Sequence, residues 1–183
     1  MKWLSIFFKK KPSEYYSDKS DLEWDAFICY ARGEKYFLES EFDEALKLFD
    51  KAVEKGFEKK DIFEFRGLCL QSLGYEFDAI EDFNKAIMFS PDNCHLYYNR
   101  ALSKEAIFDY QGEIEDIEKA IELSKKDSPL NRQYNKDAII NGYQNGIIGM
   151  YEISLFSAKS RLEFEIKEKE KRIEEKLKHI KRR

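Results

Sequence analysis

The stretch DAIEDFNKAI, Asp78 to Ile87, places small and large apolar side chains at helical spacing. Ala79, Phe83 and Ala86 are separated by four and three positions, so they share one face of an α-helix. Two small residues let a neighbouring helix approach closely, and the phenylalanine ring fills the space between them. The stretch therefore predicts a helix that is packed tightly against a partner helix.

The same pattern recurs upstream and downstream with a 34-residue period. DEALKLFDKAV supplies Ala45, Phe49 and Ala52 upstream, and GEIEDIEKAI supplies Glu113, Ile117 and Ala120 downstream. A second pair of positions, earlier in each unit, keeps the same phase: Gly33 and Tyr36, Gly67 and Leu70, Ala101 and Lys104. Each unit therefore predicts a hairpin of two helices, and three such hairpins must stack to bury their apolar faces.

Local signals set the expected helix boundaries. Ser20–Glu23 matches a capping box, Gly56 and Gly74 are typical turn residues, and Ser90–Asn93 combines a stop with a new cap. The helices are expected near residues 21–38, 42–55, 60–73, 76–89, 93–107 and 110–124.

These units resemble tetratricopeptide repeats, over about Asp25 to Leu123. The resemblance implies an all-α fold, a right-handed solenoid of antiparallel helical hairpins. Two residues depart from the family pattern, since Glu113 replaces a small residue and Lys104 an aromatic one. The third hairpin is therefore expected to pack more loosely or to use Gly112 for close approach.

An arginine precedes the small residue of each first helix, where the family usually has an apolar residue. Arg32, Arg66 and Arg100 are expected to bridge neighbouring hairpins by pairing with acidic residues. Binding of a phosphate by the three aligned cations is the alternative interpretation.

The resemblance also implies a concave groove lined by the first helix of each hairpin, suited to a peptide or a helix. Carried over position by position, the expected partner-binding residues are Phe27, Tyr30, Glu34, Phe37, Asp61, Glu64, Leu68, Gln71, His95, Tyr98, Leu102 and Glu105.

Chaperone-binding members of the family grip a C-terminal carboxylate with Lys, Asn and Arg residues. The matching positions hold Tyr30, Glu34, Phe65, His95 and Asn99, so that clamp is absent. The acidic lining favours a partner with apolar anchors and Lys, Arg or amide groups. Occupation of the groove by the chain's own N-terminal segment or C-terminal helix is the alternative.

After Lys125 the 34-residue phase is lost. Ser128 and Pro129 predict a new helix start, and Gly142, Gly146 and Gly149 fall on one face of a helix that caps the stack. Beyond it, a charged helix is either solvated or paired with a second copy. The expected organisation is an N-terminal extension at 1–19, three hairpins at 20–125, a capping region at 126–164 and a charged C-terminal helix at 165–183.

Composition argues against several classes of function. The net charge is −4, but the basic segments 1–12 and 165–183 leave −12 for residues 13–164, so nucleic acid is not an expected partner. Neither histidine has partners at metal-ligand spacing, and no nucleotide-binding or hydrolase motif occurs, so no enzyme activity, metal or cofactor is expected. Three cysteines without C-x-x-C spacing fit a reducing, cytoplasmic location.

The sequence thus predicts a non-enzymatic adaptor or scaffold that binds another protein. Three alternatives stay open: self-assembly through the C-terminal helix, a chaperone for secreted substrates, and a peripheral membrane scaffold that uses the apolar and basic residues 1–12.

Overall fold

The computed structural model describes residues 21–180, with side chains from Trp24 to Lys178 apart from Lys60. The described chain is helical, and eight helices follow one another: α1 Asp21–Leu38, α2 Phe42–Glu54, α3 Lys60–Ser72, α4 Glu76–Phe89, α5 Cys94–Ala106, α6 Tyr110–Ser124, α7 Pro129–Ile140 and α8 Gly146–Ile180. All six helices predicted for the repeats are present, with ends within one position of the expected ones. The predicted capping box at Ser20–Glu23 begins outside the described residues, and the segment 1–12 with its suggested membrane role lies wholly outside them.

The chain divides into two compact units, Met1–Glu58 and Lys59–Arg183. In the first unit, α1 and α2 form one antiparallel hairpin. In the second, α3 pairs with α4 and α5 pairs with α6, and α4 also packs against α5. Helix α8 then packs on α6 and α7.

Close helix approach explains the small residues of the repeat. A Cβ atom at Gly33 would lie 2.6 Å from Cε1 of Phe49, and one at Gly67 would lie 3.0 Å from Cε1 of Phe83. Both phenylalanines have no exposed surface. Each ring therefore lies directly on the backbone of the facing helix, as the spacing in Asp78–Ile87 predicts. Ala79 and Ala86 are buried on either side of Phe83.

The turn inside each hairpin also follows the 34-residue period. Ser40, Gly74 and Phe108 all adopt a left-handed backbone, with φ of 62°, 81° and 63°. Glycine does so without strain, whereas a bulky residue does so at a free-energy cost of roughly 1 kcal/mol or more. The geometry of the turn is thus repeated even where the residue type is unfavourable.

The C-terminal region corrects one prediction. Ser128 does cap α7, since its hydroxyl oxygen accepts a hydrogen bond from the Asn131 N–H, and Pro129 starts the helix. However, Gly142 has φ of 95° and lies in the turn between α7 and α8, and Gly146, with φ of 61°, is the first residue of α8. The three glycines therefore do not share one helical face, because Gly142 lies outside the helix that contains Gly149. Helix α8 runs without interruption from Gly146 to Ile180.

Candidate partner-binding surface

In the first hairpin, the predicted binding residues form part of an aromatic cluster. Tyr30 is 8% exposed, its ring centroid lies 4.6 Å from that of Phe57, and its hydroxyl donates to Glu34 Oε1 at 2.7 Å. Phe27 stacks on Trp24, and Phe37 packs edge-on against Phe42, with centroids 5.9 Å and 5.8 Å apart. Tyr30 therefore supports the hairpin from within, whereas Phe27, Glu34 and Phe37 are half-buried on its surface.

In the second hairpin, the four positions on α3 divide in a similar way. Asp61, Glu64 and Leu68 are half-buried. Gln71 has a structural role, because its side-chain amide donates to the Asn99 carbonyl at 2.9 Å and to Ser103 Oγ at 2.8 Å. This bridge fixes α3 beside α5, so the first helices of hairpins two and three lie next to each other.

In the third hairpin, His95 and Tyr98 contact the chain's own C-terminal helices. The centroid of the His95 ring lies 3.9 Å from that of Tyr134 on α7 and 6.3 Å from that of Tyr151 on α8. The Tyr98 ring lies 4.6 Å from Tyr151, and its hydroxyl shares a 2.9 Å hydrogen bond with Ser154 Oγ. Tyr151 is fully buried. The inner face of α5 is thus covered over its first two turns.

Burial determines the protonation of this aromatic cluster. Desolvation lowers the pKa of His95 to about 4, although the charge of Asp137 opposes the shift. Desolvation likewise raises the pKa values of Tyr98, Tyr134 and Tyr151. The cluster is therefore neutral near pH 7 and carries no cation.

Glu105, the last predicted position on α5, pairs with α8 as well. Arg161 Nη2 lies 3.2 Å from Glu105 Oε1 and 2.5 Å from Glu113 Oε1. Glu113 is 1% exposed, and burial raises the pKa of its carboxyl while the bond to Arg161 opposes that shift. Lys104 in turn lies 2.8 Å from Asp116 Oδ2 and donates to the Gly112 carbonyl.

The departures from the repeat pattern therefore do not loosen the third hairpin. Glu113 and Lys104 each have an ion-pair partner. Gly112 is not a point of close helix approach either. A Cβ atom at Gly112 would clash with the Asp109 side chain, and that aspartate caps α6 by accepting from the Gly112 N–H.

Leu102 differs from its neighbours on α5. Its side chain is 36% exposed, whereas His95, Tyr98 and Glu105 are all engaged by α7 or α8. Asp61, Glu64 and Leu68 on α3 are half-buried. These three residues and Leu102 are called the inner face of the second unit below. This face combines two leucines with two carboxylates.

Sequence reasoning missed the residues that cover α5, namely Tyr134, Tyr151, Ser154 and Arg161. They lie beyond the 34-residue phase, so no repeat position pointed to them. The only available signal was Glu113 itself, since an acidic residue at a buried small-residue position requires a cation nearby.

The arginines pair mainly within their own hairpins, contrary to the expected bridging. Arg66 forms two hydrogen bonds to Asp82 at 2.6 and 2.7 Å, and Arg100 two to Asp116 at 2.8 and 2.5 Å. Arg100 also donates to Asn84 of the preceding hairpin. Arg32 is exposed, and Leu48 stands at the repeat position where the other two arginines have aspartates. The two bidentate pairs fix the two helices within each of hairpins two and three to each other.

The described part of the chain offers no metal site and no membrane span. Residues 21–180 contain no group of His, Cys, Asp and Glu side chains that could hold a metal ion, and none of their helices is long and apolar enough to cross a membrane. Cys29, Cys69 and Cys94 form no disulfide. A cleft of about 760 Å³ lies between the α5–α6 turn and α8, lined by Phe108, Tyr110, Ser160, Arg161, Phe164, Glu165, Glu168, Lys169 and Arg172.

The helical hairpins define a helical-repeat fold. Comparison with known proteins shows what this fold is similar to. The family model for the tetratricopeptide repeat matches residues 95–127. Human tetratricopeptide repeat protein 36 is 34% identical over 67 residues, which are 37% of this chain and 35% of the human protein. The zebrafish (Danio rerio) protein of the same name is 38% identical over 65 residues and is matched over 34% of its length. The chain thus spans about a third of the curated relatives that it matches.

Solved structures share the same fold. PcrH of Pseudomonas aeruginosa, bound to the chaperone-binding region of PopD, has a TM-score of 0.61 at 17% identity over 73% of this chain and 90% of that chain. The TPR2B domain of yeast Sti1, solved in a complex with pHsp70, has a TM-score of 0.55 at 22% identity. The match covers 75% of this chain and 98% of that domain. The predicted all-α fold and the resemblance to tetratricopeptide repeats are confirmed.

Proposed function

We propose that this protein is a non-enzymatic interaction module that binds a peptide or a helix of another protein on the inner face of the second unit. The observation that carries the proposal is the exposure of Leu102 on a helix whose other predicted binding residues are engaged internally. A large apolar side chain in this place is an anchor point for a ligand. Several structural neighbours were solved with bound protein segments, which supports a role of this kind.

The side chains of the inner face indicate which kind of ligand it can bind. Leu68 and Leu102 offer apolar contact, while Asp61 and Glu64 add negative charge. A suitable ligand therefore has apolar anchors flanked by Lys, Arg or amide groups, and an acidic tail is disfavoured by charge repulsion. In the first hairpin, Phe27, Glu34 and Phe37 form a separate surface of the same aromatic and acidic character.

Two of the positions that form a carboxylate clamp in chaperone-binding relatives support a non-acidic ligand. Glu34 accepts the Tyr30 hydroxyl, and His95 is stacked and uncharged at neutral pH. An adaptor role in a reducing compartment such as the cytoplasm fits this arrangement, since the three cysteines form no disulfide.

Peptide binding measured by fluorescence anisotropy tests the proposal. The Hsp90 peptide SRMEEVD, seen on a structural neighbour, serves as the acidic ligand, and SRMKKVK serves as its charge-reversed counterpart. We expect the basic peptide to bind more tightly and Leu102→Glu to weaken its binding about tenfold, as the loss of one apolar anchor would. Met88→Glu on α4, where the side chain is 83% exposed, is the matched control. Preferred binding of SRMEEVD would refute the proposal.

A further inference from the structure

The outer face of α8 carries an exposed apolar strip. Ile153, Phe156 and Phe164 are 61%, 76% and 68% exposed, and Ser160 lies between the two phenylalanines. These four residues follow the spacing i, i+3, i+7 and i+11, so they share one face of the helix. They are called the outer strip below.

The outer strip is distinct from the face by which α8 joins the repeats. The joining face contains Tyr151, Ala158 and Arg161, of which the first two are fully buried. Because α8 is already held on that side, Ile153 and Phe156 lie on its free side, while Ser160 and Phe164 also border the open cleft beside Phe108 and Tyr110. Terminal elements of repeat stacks ordinarily have a polar outer face, so an apolar one indicates a further contact.

We infer that the outer strip binds the outer strip of a second copy of this chain, with the two α8 helices antiparallel and crossing near Ser160. The sequence of the strip supports this occupant because it is nearly symmetric about its centre. Phe156 and Phe164 lie four positions before and four positions after Ser160. In the antiparallel arrangement each Phe156 therefore meets the partner copy's Phe164, while the small serines allow the helices to approach.

Charge fixes the direction of the pairing. Glu152 lies at the N-terminal end of the strip, and Lys167 and Lys171 lie at its C-terminal end. All three are exposed, and the pair between Lys167 and Glu163 is exposed as well. With the crossing at Ser160, an antiparallel partner brings Lys167 to within one position of the level of Glu152, whereas a parallel partner places like charges level with each other. This contact between Glu152 and Lys167 favours the antiparallel dimer.

The mass of the full chain in solution tests the inference. We expect light scattering after size exclusion to give a dimer that dissociates on dilution, and Phe156→Glu to give a monomer. Met88→Glu, similarly exposed on α4, is expected to stay dimeric. Because the Phe156 side chain is mostly exposed in its own chain, its replacement is expected to leave the circular dichroism spectrum unchanged. Ser160→Glu is a second variant that is expected to give a monomer, since it brings like charges together at the crossing point.

Cross-linking tests the direction. With Cys29 changed to Ser, the other two cysteines are buried. In an antiparallel dimer, a cysteine at position 153 of one copy lies level with a cysteine at position 167 of the other. The two cysteines of a dimer formed by two Ile153→Cys chains are about 21 Å apart along the helix axis. A disulfide is expected only in the mixture. A monomeric wild-type chain, a dimeric Phe156→Glu variant, or a disulfide between two Ile153→Cys chains would each overturn the inference. None of these outcomes bears on binding at Leu102, which lies on α5.

Discussion

Arg161 of α8 lies 2.5 Å from the carboxylate of Glu113 on α6, at a position where the first two hairpins have Ala45 and Ala79. The third hairpin thus has a buried acidic residue where the first two have alanine, and the cation that pairs with it comes from α8. Because Glu113 is 1% exposed, its charge depends on that cation. The pair makes α8 a specific part of the third hairpin.

Replacement of Arg161 by Ala is expected to lower the free energy of unfolding by about 3 kcal/mol, because it leaves Glu113 buried without its partner. Glu113→Ala restores the residue of the first two hairpins and is expected to lower it less. The double variant is expected to be more stable than Arg161→Ala alone. Urea unfolding of the four proteins gives the coupling energy, and strictly additive effects would contradict a direct pair.

The loss of unfolding free energy in Arg161→Ala, relative to the wild type, is also expected to depend on pH. Burial raises the pKa of Glu113 in the folded state, so at low pH the residue is protonated in both the folded and unfolded states and Arg161 matters less. As the pH rises from the unfolded toward the folded pKa and beyond, the unpaired carboxylate increasingly destabilises the variant. If the loss of unfolding free energy is the same from acidic to neutral pH, it does not come from the unpaired Glu113 carboxylate.

His95 is expected to make the protein sensitive to acid. Its pKa is about 4 in the folded state and 6.5 in the unfolded chain, so the folded state binds fewer protons between these values. Stability from this residue is complete above pH 6.5 and is lost as the pH falls toward 4, by up to about 3 kcal/mol. His95→Phe keeps a ring against Tyr134 without a titrating group. Its unfolding free energy is expected to fall less between pH 6.5 and 5 than that of the wild type, and an equal fall would rule out His95 as the source.

Gly33 and Phe49 offer a test of close packing. Gly33→Ala is expected to lower the free energy of unfolding by about 1–3 kcal/mol, because the new methyl group meets the Phe49 ring at 2.6 Å. The third hairpin has Ala101 and Ile117 at the two matching positions, and both are buried. Adding Phe49→Ile to Gly33→Ala is therefore expected to cost less than the sum of the two single changes. Thermal unfolding of the three variants measures this, and additivity would contradict it.

The repeats could be predicted from the sequence because each residue of the packing trio is dictated by its neighbours within a single repeat. Ala79, Phe83 and Ala86 specify both a helix and its partner, and their spacing recurs. The C-terminal region could not be predicted as well. Gly142 and Gly146 have helical spacing in the sequence, but Gly142 lies in a turn and Gly146 begins the next helix. Their left-handed backbone cannot be recognised from spacing alone.

The candidate binding residues were only partly predictable, for a related reason. Carrying positions over from the family identifies the inner face of each first helix but not what the rest of the chain places on it. Tyr98 is held by Tyr151 and Ser154, which are distant from it in sequence. Such contacts depend on where α8 returns to the repeats. Leu102 differs because no described contact from α7 or α8 engages it.

The most direct test of the proposed binding surface is the selection of peptides from a random displayed library on the full chain, followed by affinity measurement with the wild type, Leu102→Glu and Met88→Glu. We expect enriched peptides with apolar anchors and Lys or Arg, whose affinity falls about tenfold with Leu102→Glu and stays unchanged with Met88→Glu. Enrichment of acidic C-terminal peptides, or equal binding by the two variants, would contradict binding at the inner face.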